Sequence, residues 1–140
     1  MDYIDTSVLV AYYCPEAFSP AAQEAVLASR GPVISPLVEV ELTSAVAMKV
    51  RTKDLDRAEA ARILSLFHVH VADGYYRMAE IGRREYDLAR DWLGRFTTAL
   101  RTLDALHLAA AFANGLTLVT ADKILAAAAR RLGLKYKIVR

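Results

Sequence analysis

Short apolar runs alternate with longer amphipathic stretches along this chain. The runs at residues 2–5, 32–35, 75–80, 116–120 and 135–139 predict strands, and the stretches between them predict helices. Parallel strands require such helical crossovers. The pattern therefore predicts an α/β domain, with a short parallel sheet of about four or five strands and helices on both faces.

Serine–proline pairs mark the start of two predicted helices. Ser19 and Pro20 begin a helix that ends near Gly31, and Ser35 and Pro36 begin one over about residues 36–51. Serine is a good N-cap, and proline fits the first helical turn because no hydrogen bond of its nitrogen is lost there.

The predicted helix over residues 83–96 is amphipathic. Its spacing favours core packing over a base-stacking platform for its aromatic side chains. The residues predicted on its buried side are Tyr86, Ala89, Trp92, Leu93 and Phe96.

The next predicted helix, over residues 102–114, is apolar from 105 to 113 except for His107. A helix without a polar face belongs in the interior. Asp104 nevertheless stands in its first turn, although a carboxylate is rarely buried without a partner. His107 lies one turn further on, where it either hydrogen-bonds Asp104 or packs as a satisfied core residue.

Length and composition predict one globular domain over residues 1–140. No apolar run reaches the roughly 18 residues of a membrane span, and the N-terminus lacks the basic region of a signal peptide. The single cysteine, Cys14, permits no internal disulfide and suits a cytoplasmic location.

The formal net charge is only +2, but its distribution is uneven. Residues 123–140 contain no acid and six basic side chains: Lys123, Arg130, Arg131, Lys135, Lys137 and Arg140. This segment either faces an anionic partner or forms a solvated basic helix and strand.

Four acids fall where a parallel sheet binds ligands, beyond the carboxyl ends of its strands. Asp5 ends the first predicted strand, Asp122 follows the fourth, and Asp104 begins the buried helix. Glu41 shares the inward face of its helix, whereas Glu39 points about 200° away from it, toward solvent.

Each acid also has a simpler explanation. Asp5 and Asp122 occupy N-cap positions, Asp104 suits the positive end of a helix dipole, and Glu41 can pair with an arginine. Four converging carboxylates would however repel one another without a cation. Their oxygen ligands favour Mg²⁺ or Mn²⁺, and the lack of histidine or cysteine ligands argues against zinc.

Four segments, in order, resemble the motifs of the PIN-domain family. They are Asp5-Thr6-Ser7, Ser35 with Glu41, residues 101–109 (RTLDALHLA) and residues 119–122 (VTAD). The third motif is quite specific, the first and fourth are weak alone, and the second is the weakest. Length and single-domain organisation resemble the VapC toxin branch. The resemblance implies a PIN-like three-layer sandwich.

The resemblance also implies a Mg²⁺- or Mn²⁺-dependent endoribonuclease. Asp5 and Asp104 would be the principal metal ligands, and Asp122 would complete the shell directly or through water. Glu41 would bind a second metal or orient the attacking water. A bound metal lowers the pKa of its water and neutralises charge on the scissile phosphate.

Supporting roles follow for two hydroxyls. Thr6 and Thr120 would hydrogen-bond the carboxylates, or they are ordinary helix-start hydroxyls.

RNA must be brought to the acids by basic residues. Lys49, Arg51, Lys53 and Arg101 are the candidates, although each also fits a solvated helix end. The family resemblance implies two further partners, a VapB-like antitoxin and a second copy of the chain in a homodimer.

Two other functions compete with this interpretation. A non-catalytic, RNA-binding or scaffold PIN domain usually lacks one or more of the acids, whereas all four are present here. A phosphatase with an aspartyl nucleophile would need a second aspartate two residues after Asp5, where Ser7 stands. A metal-dependent DNA nuclease is not distinguished from a ribonuclease by these residues.

Overall fold

The computed structural model describes all residues, 1–140. Its five strands form one sheet in the order β3-β2-β1-β4-β5, and every neighbouring pair is parallel. The strands are β1 Asp2–Ile4, β2 Val33–Ile34, β3 Arg77–Met78, β4 Thr117–Thr120 and β5 Tyr136–Ile138. The predicted α/β class with a short parallel sheet is confirmed.

Seven helices connect the strands. They are α1 Thr6–Tyr13, α2 Ser19–Ala28, α3 Pro36–Arg51, α4 Arg57–Ala72, α5 Arg83–Gly94, α6 Thr102–Ala113 and α7 Lys123–Arg131. The chain runs from β1 outward to β3 through α1–α4, and then returns across the sheet to β4 and β5 through α5–α7. Right-handed crossovers in opposite directions place the two sets of helices on opposite faces of the sheet.

The direction of the chain reverses between β1 and β4, which pair in the centre of the sheet. Crossovers leave these two strands toward opposite sides, so a crevice opens beyond their carboxyl ends. Asp5 directly follows β1, and Asp122 comes two residues after β4. The topology thus brings acids that are distant in sequence to one edge of the sheet.

Helix α6 lies in the interior, as predicted. Every residue from Ala105 to Ala111 is buried, including His107, which is 2% exposed. The helix contacts both central strands and packs against α5 and α7. Asp104 is therefore carried on a helix that the core holds in place. None of the helices has both the length and the apolar character needed to cross a membrane.

The predicted buried side of α5 is wrong for two residues. Tyr86 is 54% exposed, and Phe96 is 92% exposed and lies beyond the end of the helix with a positive φ of 57°. The buried residues are Glu85, Ala89 and Trp92. Glu85 is held inward because its carboxylate accepts a 3.1 Å hydrogen bond from the Gly82 amide, which rotates Tyr86 outward.

The strand predicted over residues 75–80 is also shorter than expected. Only Arg77 and Met78 pair with β2, because β2 itself has just two residues to offer as partners.

Candidate active site

A groove of about 590 Å³ opens beyond the carboxyl ends of the central strands. Glu41, Asp104 and Asp122 line it, together with Arg101. Three of the four predicted acids therefore face a common space. Asp5, the fourth, is only 4% exposed and lies at the end of β1.

The Asp5 carboxylate is held by two hydroxyl groups. Ser7 Oγ donates to Oδ1 over 2.6 Å, and Thr120 Oγ1 donates to Oδ2 over 2.8 Å. Asp5 occupies the N-cap position of α1, but its side chain makes no capping hydrogen bond. Burial raises the pKa of Asp5, and the two hydroxyls and the nearby His107 oppose that rise. The contact predicted for Thr120 is present.

The same hydroxyls also bind the backbone of the β4–α7 connection. Ser7 Oγ accepts from the Ala121 amide over 2.9 Å, and Thr120 Oγ1 accepts from the Asp122 amide over 3.0 Å. Because each hydroxyl joins Asp5 to this connection, the end of β1 and the start of α7 are fixed relative to each other.

Glu41 is held by a second set of partners. Thr6 Oγ1 donates to its Oε1 over 2.6 Å, and His107 Nε2 is hydrogen-bonded to the same oxygen. Burial alone would raise the pKa of Glu41, but the hydrogen bond and charge of His107, with the Thr6 hydroxyl, hold the pKa below its usual range. The predicted contact between Thr6 and an active-site carboxylate is present.

A buried hydrogen-bond chain stands behind His107. Its Nδ1 lies 2.8 Å from the Tyr3 hydroxyl, which lies 2.7 Å from Ser35 Oγ. Tyr3 and Ser35 are fully buried. Burial raises the pKa of Tyr3 far above its usual value, so the phenol keeps its proton. His107 thus joins Glu41 to the first two strands. Of the two alternatives, the bond to Asp104 is not formed.

Asp122 and Asp104 have no such partners. Asp122 Oδ1 accepts from the Ile124 and Leu125 amides over 2.8 and 3.1 Å, so the N-cap interpretation of this residue is confirmed. The Asp104 carboxylate makes no hydrogen bond to another side chain. Burial and the charges of Asp122 and Glu41 raise the pKa of Asp104, and they outweigh a backbone hydrogen bond at Arg101 and the charge of His107, which lower it.

The donor chemistry of the groove fits a hard divalent cation. Its acidic residues supply carboxylate oxygens, which Mg²⁺ and Mn²⁺ prefer. No three histidine, cysteine, aspartate or glutamate side chains lie close enough to one another to hold a metal ion. A ligand shell would thus require the carboxylates to approach one another. The assignment of Asp5, Asp104 and Asp122 as ligands stays a prediction.

Only one of the four candidate RNA-binding cations lines this groove, namely Arg101. Lys49 is eight residues beyond Glu41 on α3, about 12 Å along the helix at 1.5 Å per residue, and it pairs with Glu16 at 3.7 Å. Arg51 and Lys53 lie beyond it, at the exposed end of α3. The role of these three residues in RNA binding stays a prediction.

The sequence did not predict the roles of three residues of the site: Ser7 as a partner of Asp5, and Tyr3 and Ser35 as the hydrogen-bond chain behind His107. His107 was identified only as a packing residue or a partner of Asp104. The one local signal was the presence of hydroxyl residues beside the acids, as in Asp5-Thr6-Ser7. The link from Tyr3 to His107 spans 104 residues and has no local signal.

Comparison with known proteins decides the family. A model of the PIN domain matches residues 3–131. The chain belongs to the PIN-domain family. No curated protein sequence matches it.

Solved structures share this PIN fold over nearly the whole chain. VapC20 of Mycobacterium tuberculosis, described as a sarcin-ricin loop cleaving toxin, is 18% identical, covering 91% of this chain and 95% of its own, with a TM-score of 0.71. FitAcB of Neisseria gonorrhoeae is 16% identical, with coverages of 97% and 96% and a TM-score of 0.71. VapBC2 of Rickettsia felis, bound to a fragment of promoter DNA, is 18% identical, with full coverage of both chains and a TM-score of 0.70.

Proposed function

We propose that residues 1–140 form a single PIN domain that is a Mg²⁺- or Mn²⁺-dependent endoribonuclease and the VapC-type toxin of a toxin–antitoxin pair. One observation carries the proposal: all four acids lie at the carboxyl edge of the central strands, and three line one groove. Structural neighbours described as a toxin and as a VapBC complex give further support.

In this proposal the chain's residues divide the work. Asp5, Asp104 and Asp122 hold the cation. A bound divalent ion lowers the pKa of its water and neutralises charge on the phosphate. Glu41 remains ionised at neutral pH, because His107 and Thr6 keep its pKa low. It can therefore accept a hydrogen bond from the attacking water and orient it.

The proposed partners come from the structural neighbours and the family. VapBC2 of Rickettsia felis is a complex, which supports a VapB-like antitoxin for this chain. We propose a homodimer and cytoplasmic RNA as the substrate, in keeping with the family resemblance.

The two rival functions make different predictions. A scaffold PIN domain has no need of acids with dedicated hydroxyl and imidazole partners, and it would bind RNA without cleaving it. A DNA nuclease would cleave single-stranded DNA in preference to RNA of the same sequence.

The test is cleavage of total RNA, and of single-stranded RNA and DNA of matched sequence, with Mg²⁺, with Mn²⁺ and with EDTA. We expect cleavage of RNA with either metal and none with EDTA. The Asp5→Asn variant, checked for folding by circular dichroism, should be inactive. Failure of the parent to cleave any RNA with either metal would refute the ribonuclease, and cleavage of DNA alone would establish the DNA nuclease.

A further inference from the structure

Three adjoining grooves lie around α7. The acidic groove described above shares Ala99 and Ile124 with a second groove. The second groove shares Ala127 and Arg131 with a third, which reaches the edge strand β5. We call this series of adjoining grooves, from the carboxylates to β5, the channel.

The lining charge changes sign along this channel. Lys123 and Arg131 line the second groove, and Arg130, Arg131 and Arg140 line the third. No acid lines either of them. We call this basic part, defined by Lys123, Arg130, Arg131 and Arg140, the α7 track.

The basic side chains of helix α5 differ from those of the track, because they are paired with acids. On α5, Arg83 and Arg90 both pair with Asp87, at 3.1 and 3.6 Å. The four cations of the α7 track are exposed and form no ion pair. Their charges remain available to an anionic partner.

The helix dipole accounts for only part of the track. Arg130 and Arg131 lie in the last turn of α7, where a cation is favourable. Lys123 is the first helical residue, where the dipole disfavours a cation. Lys123 also stands next to the acidic groove, so its placement suits an anion that passes from the track into that groove.

We infer that the α7 track binds the stretch of single-stranded RNA that adjoins the scissile phosphate, an inference that rests on the proposed ribonuclease function. Exposed cations would contact the phosphates, and the half-buried Tyr136 ring in the third groove offers a face for a base. Ala99 and Ala127 leave room for the strand between the cations.

An acidic peptide is the other polyanion that a basic track attracts. Its carboxylates would meet Asp104 and Asp122 at the end of the channel. RNA suits both the α7 track and the acidic groove better, because a phosphate can reach the acids together with a divalent cation. Small and aromatic lining residues also fit sugars and bases.

The test measures RNA binding without cleavage, in the Asp104→Asn background. A fluorescent single-stranded RNA of about 12 nucleotides, within the usual site sizes, is titrated at several salt concentrations. The track variant is Lys123→Gln with Arg131→Gln. The matched control is Arg83→Gln with Arg90→Gln on α5. It removes the same amount of charge from a surface where the arginines are paired with an acid. Melting temperatures establish that both variants are folded.

We expect the track variant to bind RNA more weakly and its salt slope to fall by roughly 1.4, since each lost phosphate contact on a single strand contributes about 0.7. The control should keep the parent slope.

An unchanged slope in the track variant would overturn the inference. So would a track variant that binds a fluorescent polyglutamate peptide more weakly than the parent but binds RNA as tightly as the parent. In the active background, the same substitutions should raise KM more than they lower kcat. If the parent cleaves RNA and the salt slope of the track variant is unchanged, only the inference about the track is wrong. If the parent cleaves no RNA, the proposed ribonuclease function is wrong, and the salt slope still shows whether the track binds RNA.

Discussion

The four carboxylates of the site are held in two different ways, and we group them into two sides. On the first side, Asp5 and Glu41 each accept hydrogen bonds from side chains of neighbouring elements. On the second side, one carboxylate oxygen of Asp122 accepts hydrogen bonds from backbone amides of α7, and Asp104 has no side-chain partner. We call these the networked side and the open side.

The pKa values follow this division for the residues that face the groove. Glu41 has a lowered pKa because His107 and Thr6 outweigh burial. Asp104 has a raised pKa because burial and neighbouring acids act in the same direction. Asp5 departs from this division, because burial raises its pKa despite its hydroxyl partners. The protein itself stabilises the negative charge of Glu41, whereas the proposed cation would stabilise that of Asp104.

The largest effect is expected for Asp104→Asn, which removes the charge on the open side. RNA cleavage should fall more than about 100-fold, beyond the 10–100-fold typical of an outer partner of a metal ligand. Since Asp104 is repelled by its neighbours, the free energy of unfolding in EDTA should not decrease. Cleavage kinetics and urea unfolding measure both quantities.

Asp5→Asn is the matched comparison. It should reduce cleavage by a similar factor, but it places an amide against the Ser7 and Thr120 hydroxyls, which in the parent donate to a carboxylate. We therefore expect it to destabilise the fold in EDTA. If Asp104→Asn destabilises the protein as much, the two sides do not differ as described.

His107→Phe should break the networked side and lower kcat by about 10–100-fold. Glu41 would lose the partner that keeps its pKa low. KM for RNA should change little, since His107 is buried away from the groove. His107→Gln, which can still donate to Glu41, should recover part of kcat. A loss of stability with unchanged kcat would reduce His107 to a packing residue.

Tyr3→Phe tests the far end of the network. It leaves Ser35 Oγ without its side-chain partner and removes the bond to His107 Nδ1. We expect a loss of about 2 kcal/mol in the free energy of unfolding, since two buried hydrogen bonds worth about 1 kcal/mol each are removed, and less than a tenfold change in kcat. Ser35→Ala is the control, because it removes one bond and leaves the Tyr3–His107 bond in place.

The smallest effect is a pH dependence of stability in EDTA. A carboxyl whose folded pKa is raised loses stability as pH rises from its ordinary value, 3.8 for Asp104, through the folded pKa. Glu41 has a lowered pKa, so its contribution is present above the ordinary 4.5 and is lost as pH falls through the folded pKa. Relative to the parent, Asp104→Asn should gain stability as pH rises; a constant difference would contradict the raised pKa.

The sequence predicted the open side better than the networked side. Asp104 was identified because a charge in the first turn of an apolar helix is a local anomaly. The link from Glu41 through His107 to Tyr3 and Ser35 was not predicted, because these residues meet only through the parallel pairing of β1 with β2 and the packing of α6 against β1. Local periodicity carries no information about such pairings.

Helix α5 shows a related limit. Periodicity predicted one buried side, which included Tyr86 and Phe96. It carried no information about the capping bond of Glu85, and the helix buries Glu85 and exposes Tyr86 instead.

Binding of Mn²⁺, followed by electron paramagnetic resonance, tests most directly whether a cation completes the open side. The parent should bind Mn²⁺ in a site from which Mg²⁺ displaces it, and Asp104→Asn should bind at least about tenfold more weakly, as loss of a ligand or its partner does. His107→Phe should bind nearly as tightly as the parent. Equal affinity in the parent and Asp104→Asn, or no binding by the parent, would contradict the account.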